Sequence, residues 1–370
     1  MRRSFLLSAL LLFACANANA GSYAPPPKLD DGWDVADAAK SGWNLTTLAA
    51  MEAAIASDAA PDTTSVLIAR DGKLVYEHYF NSGGREVLNN PRSLTKSVTA
   101  LLVGAAIDRS LIAGPQAKVY GFFPDRTWRN DDPRKRDFAI EDLLTMSSQW
   151  ECDDESEFSS GNEERMYLSA DWTQFALDLP MKGYAPWMKR PAESPHGRAF
   201  AYCTANAFLL GAIVERATRK PLETFAREAL EGPLGIRTSA WTKSSEGVGM
   251  GGGGTSYRSR DLAKFGQLLI DQGRWQGQRV ISPEWIRAMT TVQAQAREDA
   301  DYGYLIWRFR FDVRGKQRDA WAMSGNGGNY VFVLPEEKLV AVITRTRYNQ
   351  RDMHPQSHRL LSDYILKAMP

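Results

Sequence analysis

Apolar and polar positions alternate in different ways along the chain. Leu45, Leu48, Met51 and Ile55 recur at helical spacing and predict a first helix. Thr63 to Ala69 and Lys73 to Phe80 are β-rich runs separated by Asp71-Gly72, a dipeptide that tolerates the positive φ of a tight hairpin. A longer helix is predicted from Ser93 to Arg109. Leu94, Val98, Leu101, Leu102 and Ala105 make one stripe, and Ala100, Val103, Gly104 and Ile107 keep the opposite side small or apolar. A helix apolar nearly all round is buried rather than laid on a surface. From about Ile112 to Glu231 the pattern is helical and loop-rich, with Phe208 to Arg219 its clearest helix. A glycine-rich stretch, Lys243 to Thr255, leads to a helix from about Arg260 to Gln272. Tyr330 to Leu334 and Leu339 to Thr344 return to strand, and an amphipathic helix around Leu360, Leu361, Tyr364 and Ile365 closes the chain.

Strands near both ends with a helical middle predict an α/β fold: one antiparallel sheet built from both termini, flanked by helices, with an inserted helical lobe. The expected boundaries are 45–111 and 232–370 for the α/β lobe and 112–231 for the helical lobe. With 370 residues, 44% of them hydrophobic, the chain can bury a large core. Lys plus Arg number 45 and Asp plus Glu 44, so no basic footprint for nucleic acid is present.

Residues 1–20 read as a secretory signal: Arg2 and Arg3, an apolar run from Phe5 to Ala14, and a small-x-small site at Ala18-Asn19-Ala20. The apolar run is too short to span a bilayer, so no stable membrane insertion is expected. Lipoprotein processing at Cys15 fits less well, because Phe13 stands where a smaller residue is usual. The expected mature chain, 21–370, is periplasmic or secreted. It keeps Cys152 and Cys203, which permit one bridge in an oxidising compartment or remain as two buried thiols.

Ser93-Leu94-Thr95-Lys96 is an S-x-x-K element. Ser93 opens the helix, where free backbone N–H groups can hold an oxyanion. Lys96 lies one turn on, on the same edge. The apolar surroundings should desolvate its amine and disfavour the ammonium form, which makes a lysine usable as a base. Short motifs occur by chance, but the position of this one at the head of a buried helix soon after a hairpin is more informative than the letters.

A hairpin followed by S-x-x-K opening a buried helix resembles the serine β-lactamase and penicillin-binding-protein family. The branch in view is that of class C β-lactamase-related hydrolases, including esterases and 6-aminohexanoate hydrolases. The resemblance implies the β-lactamase-like fold and a second box, Y-x-N. Here that box reads Tyr202-Cys203-Thr204, before Leu209-Leu210-Gly211-Ala212-Ile213-Val214-Glu215. Tyr202 would shuttle a proton with Lys96; its other reading is a core or helix-capping aromatic. Thr204 holds the Asn position of a substrate-binding group. The third box, K-T-G or H-x-G in the family, corresponds to Met323-Ser324-Gly325-Asn326-Gly327-Gly328. By resemblance, the Ser93 and Asn326 N–H groups would form the oxyanion hole, with Gly325 and Gly327 allowing close backbone approach. As residues alone, the stretch also fits a Gly-rich turn between strands. The family's loop containing Cys152 runs near the tyrosine box, which would place a Cys152–Cys203 bridge beside the site.

The expected function is acyl-enzyme hydrolysis of a small ester or linear amide, with no metal or cofactor. β-Lactamase or D-Ala peptidase activity is the alternative within the mechanism, and a non-catalytic cell-wall-binding relative the alternative outside it. Other motifs carry less. Gly247 to Gly252 satisfies G-x-G-x-x-G but follows a polar run rather than a buried strand, so a cleft wall is expected, not dinucleotide binding. His354 and His358 flank Pro355 and lack a third zinc ligand. No G-x-S-x-G occurs. The acidic run Glu151 to Glu157 reads as a solvated loop or as a rim over the cleft.

Overall fold

The computed structural model describes residues 23–57 and 59–370. The expected signal segment and Cys15 lie outside the described residues. A sheet of nine strands organises the rest: β1 Asp34–Val35, β2 Thr63–Arg70, β3 Lys73–Tyr79, β4 Ala294–Arg297, β5 Ala300–Tyr302, β6 Trp307–Val313, β7 Lys316–Gly325, β8 Asn329–Leu334 and β9 Leu339–Arg345. Their spatial order is β1-β3-β2-β9-β8-β7-β6-β5-β4. The N-terminal hairpin joins the C-terminal meander where β2 pairs antiparallel with β9, Ile68 opposite Ala341. The two-residue β1 runs parallel to β3, the one departure from the expected antiparallel sheet.

β6 and β7 were not among the expected strands, although β6 alternates cleanly. Trp307, Phe309, Phe311 and Val313 are buried, while Arg308, Arg310 and Asp312 are less so. Arg314 and Gly315 both take positive φ in the intervening turn, 57° and 73°, as a tight hairpin requires.

Central strands β8 and β9 are buried at every residue, so both faces must be covered. Helix Ser259–Ile270 covers one: a Cβ at Gly266 would meet Val331, Val333 and Val340. The C-terminal helix, beginning at Met353, covers the other, with His358 packed against Tyr330 and Phe332. Alternate residues of β8 thus meet helices on opposite faces.

The Ser93 segment begins as a 3-10 turn, Arg92–Leu94, and continues as an α-helix, Thr95–Asp108. That helix is buried from Thr95 to Ala106. Its buried polar groups are satisfied. Thr95 Oγ1 pairs with Thr255 Oγ1 at 2.6 Å, Ser97 Oγ donates to Leu305 O at 2.6 Å, and Thr99 Oγ1 donates to Gly251 O at 2.7 Å.

Between residues 112 and 231 the regular elements are helices, the longest being Thr204–Thr218. Among the described residues no helix is long and apolar enough to cross a membrane.

Candidate active site

Ser93 sits on the wall of a cavity of about 280 Å³, together with Asp154, Tyr202, Arg297, Trp307, Ser324, Gly325, Asn326 and His354. Arg92, just before it, holds φ at +53°, a left-handed conformation that costs a non-glycine residue on the order of 1 kcal/mol. The turn is held by the Arg92 N–H, which donates to Asn90 Oδ1 at 3.0 Å, and by the Arg92 guanidinium over the Tyr348 ring.

One helical turn on, Lys96 is 1% exposed, and its Nζ lies 2.9 Å from Ser93 Oγ. The same amine donates to Gly252 O at 2.6 Å. The glycine run 247–252 is therefore packed against the Ser93 helix and fixes the lysine with a carbonyl. A side chain at Gly251 would collide there, since its Cβ would fall 2.9 Å from Thr99 Oγ1 and 3.0 Å from Ala207 O.

Tyr202 lies just before helix Thr204–Thr218. Lys96 Nζ is 5.0 Å from its ring centroid, and the ring stacks on Trp307 at 5.7 Å. The Ser93 hydroxyl, the Lys96 amine and the Tyr202 ring, from two segments over 100 residues apart, thus come together beside one cavity.

The end of β7 closes the wall. Gly325 passes so close to the Ser93 turn that a Cβ would lie 1.8 Å from Pro91 O, so only glycine fits. The Asn326 amide is tied to Asn349, donating to its Oδ1 at 2.6 Å and accepting its N–H at 2.8 Å. What Asn326 can offer a ligand is its backbone.

Two expected site residues, Thr204 and Gly327, lie off the wall, as does Met323 of the third box. Thr204 is buried off the cavity wall, and its Oγ1 has no hydrogen-bond partner of good geometry among the described residues. Its N–H binds Asp154 Oδ2 at 2.6 Å. Gly327 is not on the cavity wall, its N–H lying 3.1 Å from Met353 Sδ. Met323 is fully buried beside Val331 in the sheet.

Asp154, in the acidic run, was not singled out from the sequence. Besides Thr204 N–H its carboxylate accepts Glu163 N–H at 2.9 Å, while its own N–H donates to Tyr202 O at 2.8 Å. Burial pushes the carboxyl up to about 6, against the pull of Lys96 and with help from Glu163. A free aspartate titrates near 3.9, so the folded protein holds this proton more tightly than the unfolded chain. That contribution to stability is present below about pH 4 and lost as pH rises through about 6. Carboxyl NMR should give Asp154 a midpoint near 6, and Asp154→Asn should remove this pH dependence; a midpoint near 4 would contradict it.

Cys152 and Cys203 are joined by a disulfide across a sequence separation of 51. The bridge ties the Asp154 loop to the segment carrying Tyr202. Closing a loop of that length corresponds to about 4 kcal/mol of unfolded-chain entropy. Reduction, or Cys203→Ser, should lower unfolding free energy on that scale; an unchanged denaturation midpoint would contradict it.

The sequence model of the Beta-lactamase family matches residues 49–363. The chain is 27% identical over 276 residues to the 6-aminohexanoate-dimer hydrolase of Paenarthrobacter ureafaciens. That match covers 72% of this chain and 66% of the relative, just under two thirds of its length. Among solved structures, a penicillin-binding protein homologue from Caulobacter crescentus superposes with a TM-score of 0.64 at 18% identity, covering 87% of this chain and 96% of the other. A mutant of simvastatin synthase from Aspergillus terreus gives 0.65 at 16% identity, covering 89% and 96%. These two likenesses show the β-lactamase-like fold.

Proposed function

The chain belongs to the beta-lactamase family, and within it we propose an exported serine hydrolase that cleaves an ester or small linear amide through an acyl-enzyme on Ser93. The observation that carries this is the 2.9 Å contact between Lys96 Nζ and Ser93 Oγ at the wall of an open cavity. Gly252 O holds the Lys96 amine beside Ser93 Oγ, where it can take the Ser93 proton. As that proton leaves, Ser93 Oγ attacks the substrate carbonyl, and the Ser93 and Asn326 N–H groups receive the developing oxyanion. The proton passes by Lys96 and Tyr202 to the leaving oxygen or nitrogen. Water then attacks the acyl-enzyme with the same groups acting as base, releasing the acid and restoring the Ser93 hydroxyl.

The substrate ranking follows from what the cavity wall lacks. Met323 offers no cation and the Thr204 hydroxyl is off the wall, so a β-lactam carboxylate and acyl amide lose two of the family's partners. A charge-assisted hydrogen bond is worth about 1.5–3 kcal/mol. The relative from Paenarthrobacter ureafaciens is named as a hydrolase of the 6-aminohexanoate dimer, which supports the same preference. Export is supported by residues 1–20 and by the Cys152–Cys203 bridge, which persists in oxidising compartments.

A panel of short-chain nitrophenyl esters, an aminohexanoate dimer, a chromogenic cephalosporin and a D-Ala-D-Ala peptide tests the reading. Ester or linear-amide turnover should exceed cephalosporin turnover by at least about tenfold, the smallest consequence of one missing charge-assisted bond. Efficient cephalosporin turnover with none on any ester or linear amide would overturn it.

A further inference from the structure

The C-terminal helix brings chemistry to the cavity that acyl transfer does not use. His354 lies on the wall beside Met353, with Ser324, Gly325 and Asn326 on the same cavity. Its Nδ1 is 2.8 Å from Tyr330 Oη, and that hydroxyl is also 3.0 Å from His358 Nε2. The pair that failed as a zinc site is a pair of imidazoles sharing one phenol.

The hydroxyl between them constrains both rings. Burial raises the Tyr330 ionisation well above its ordinary range, so the phenol keeps its proton. With one proton it donates to one imidazole and accepts from the other. When it donates to His354, the His354 proton sits on Nε2, and His358 Nε2–H donates to the phenol. When it donates to His358, His354 carries its proton on Nδ1 and presents a lone pair at Nε2. In both arrangements Nδ1 is used inside the protein. His354 Nε2 has no hydrogen-bond partner among the described residues.

Neither ring is charged at neutral pH. Burial first, then Arg297 and Arg345, lowers His354 to about 4. Burial, then His354, lowers His358 to about 4, with Asp299 pulling the other way and Arg297 adding to the depression. Three other polar side chains on this wall already have partners. Arg297 pairs with Glu155 at 2.5 Å and lies over Trp307, Asn326 is held by Asn349, and Asp154 is held by two backbone N–H groups.

We propose that His354 is a specificity-determining residue, whose Nε2 hydrogen-bonds an uncharged polar group of the substrate, an amide or hydroxyl, while Tyr330 engages its Nδ1 inside the protein. This rests on the hydrolase reading above and names its substrate class: esters or amides carrying a second hydrogen-bonding group close to the scissile carbonyl, in preference to plain alkyl esters. Either tautomer can serve, as a donor to a carbonyl or as an acceptor from an N–H or O–H.

The nitrophenyl esters of acetic acid and of N-acetylglycine differ by one such amide. His354→Ala should raise KM for the N-acetylglycine ester about tenfold, one hydrogen bond's effect, with kcat little changed. Turnover of nitrophenyl acetate should stay within about twofold. His354→Gln, which keeps an amide near the Nε2 position, should restore part of the loss, and Tyr330→Phe should raise KM for the N-acetylglycine ester alone. Imidazole NMR on the wild type should show His354 uncharged at pH 6. Equal effects of His354→Ala on both esters, no effect on either, or a His354 midpoint near 6.5 would overturn the role of His354 and leave the hydrolase reading standing. Failure of the wild type to hydrolyse any ester or amide would overturn both.

Discussion

Ser93→Ala is expected to reduce hydrolysis of every substrate the wild type accepts by roughly 10⁴-fold or more, the scale seen when a covalent nucleophile is removed. The side chain is small and partly exposed in a 3-10 turn, and its Oγ contacts Lys96 Nζ rather than a structural partner. Gly325 packs against the backbone of this turn, which the substitution leaves in place. Thermal unfolding should therefore shift little. The measurement is initial rate on the best substrate of the panel, alongside a melting curve. Rates within tenfold of wild type, in a folded protein, would remove Ser93 from the chemistry.

The second large effect is expected at the proton path. Lys96→Ala and Tyr202→Phe should each lower kcat by about 10²-fold or more, the usual scale for a positioned acid or base. The two differ in structural risk. Lys96 is buried and donates to Gly252 O, so its removal leaves an unpaired carbonyl. Tyr202→Phe keeps the ring stacked on Trp307 and removes only the hydroxyl. It is the cleaner test: full activity of Tyr202→Phe would return Tyr202 to a packing role and require another proton carrier. Ser93→Ala and Lys96→Ala should also be non-additive, because the amine has no proton to take once the hydroxyl is gone.

How far the sequence exposed this site depended on how local each feature is. Ser93 and Lys96 are one turn apart on one helix, so their meeting follows from i, i+3 geometry, and the all-round apolar pattern gave the helix's burial. The two-ended sheet was legible from the runs at Thr63–Phe80 and Tyr330–Thr344. The Trp307–Gly325 hairpin was equally legible in principle, since WRFRFDV alternates at period 2 before an Arg-Gly turn. Asp154 and His354 were not. Asp154 sits in an acidic run whose composition matches any solvated loop. Its burial comes from contacts with residues 202–204, far along the chain. His354 and His358 looked like a broken metal motif because their shared partner, Tyr330, lies on a strand over 20 residues earlier. The glycine run carried a signal for close approach but not for its target, Lys96.

The central claim, that Ser93 is an activated nucleophile, is tested most directly by a fluorophosphonate probe with mass-spectrometric mapping of the labelled peptide. Stoichiometric labelling of Ser93, slowed in Lys96→Ala and absent in Ser93→Ala, is the predicted result. Labelling at another residue, or none in a folded protein that still turns over substrate, would contradict it.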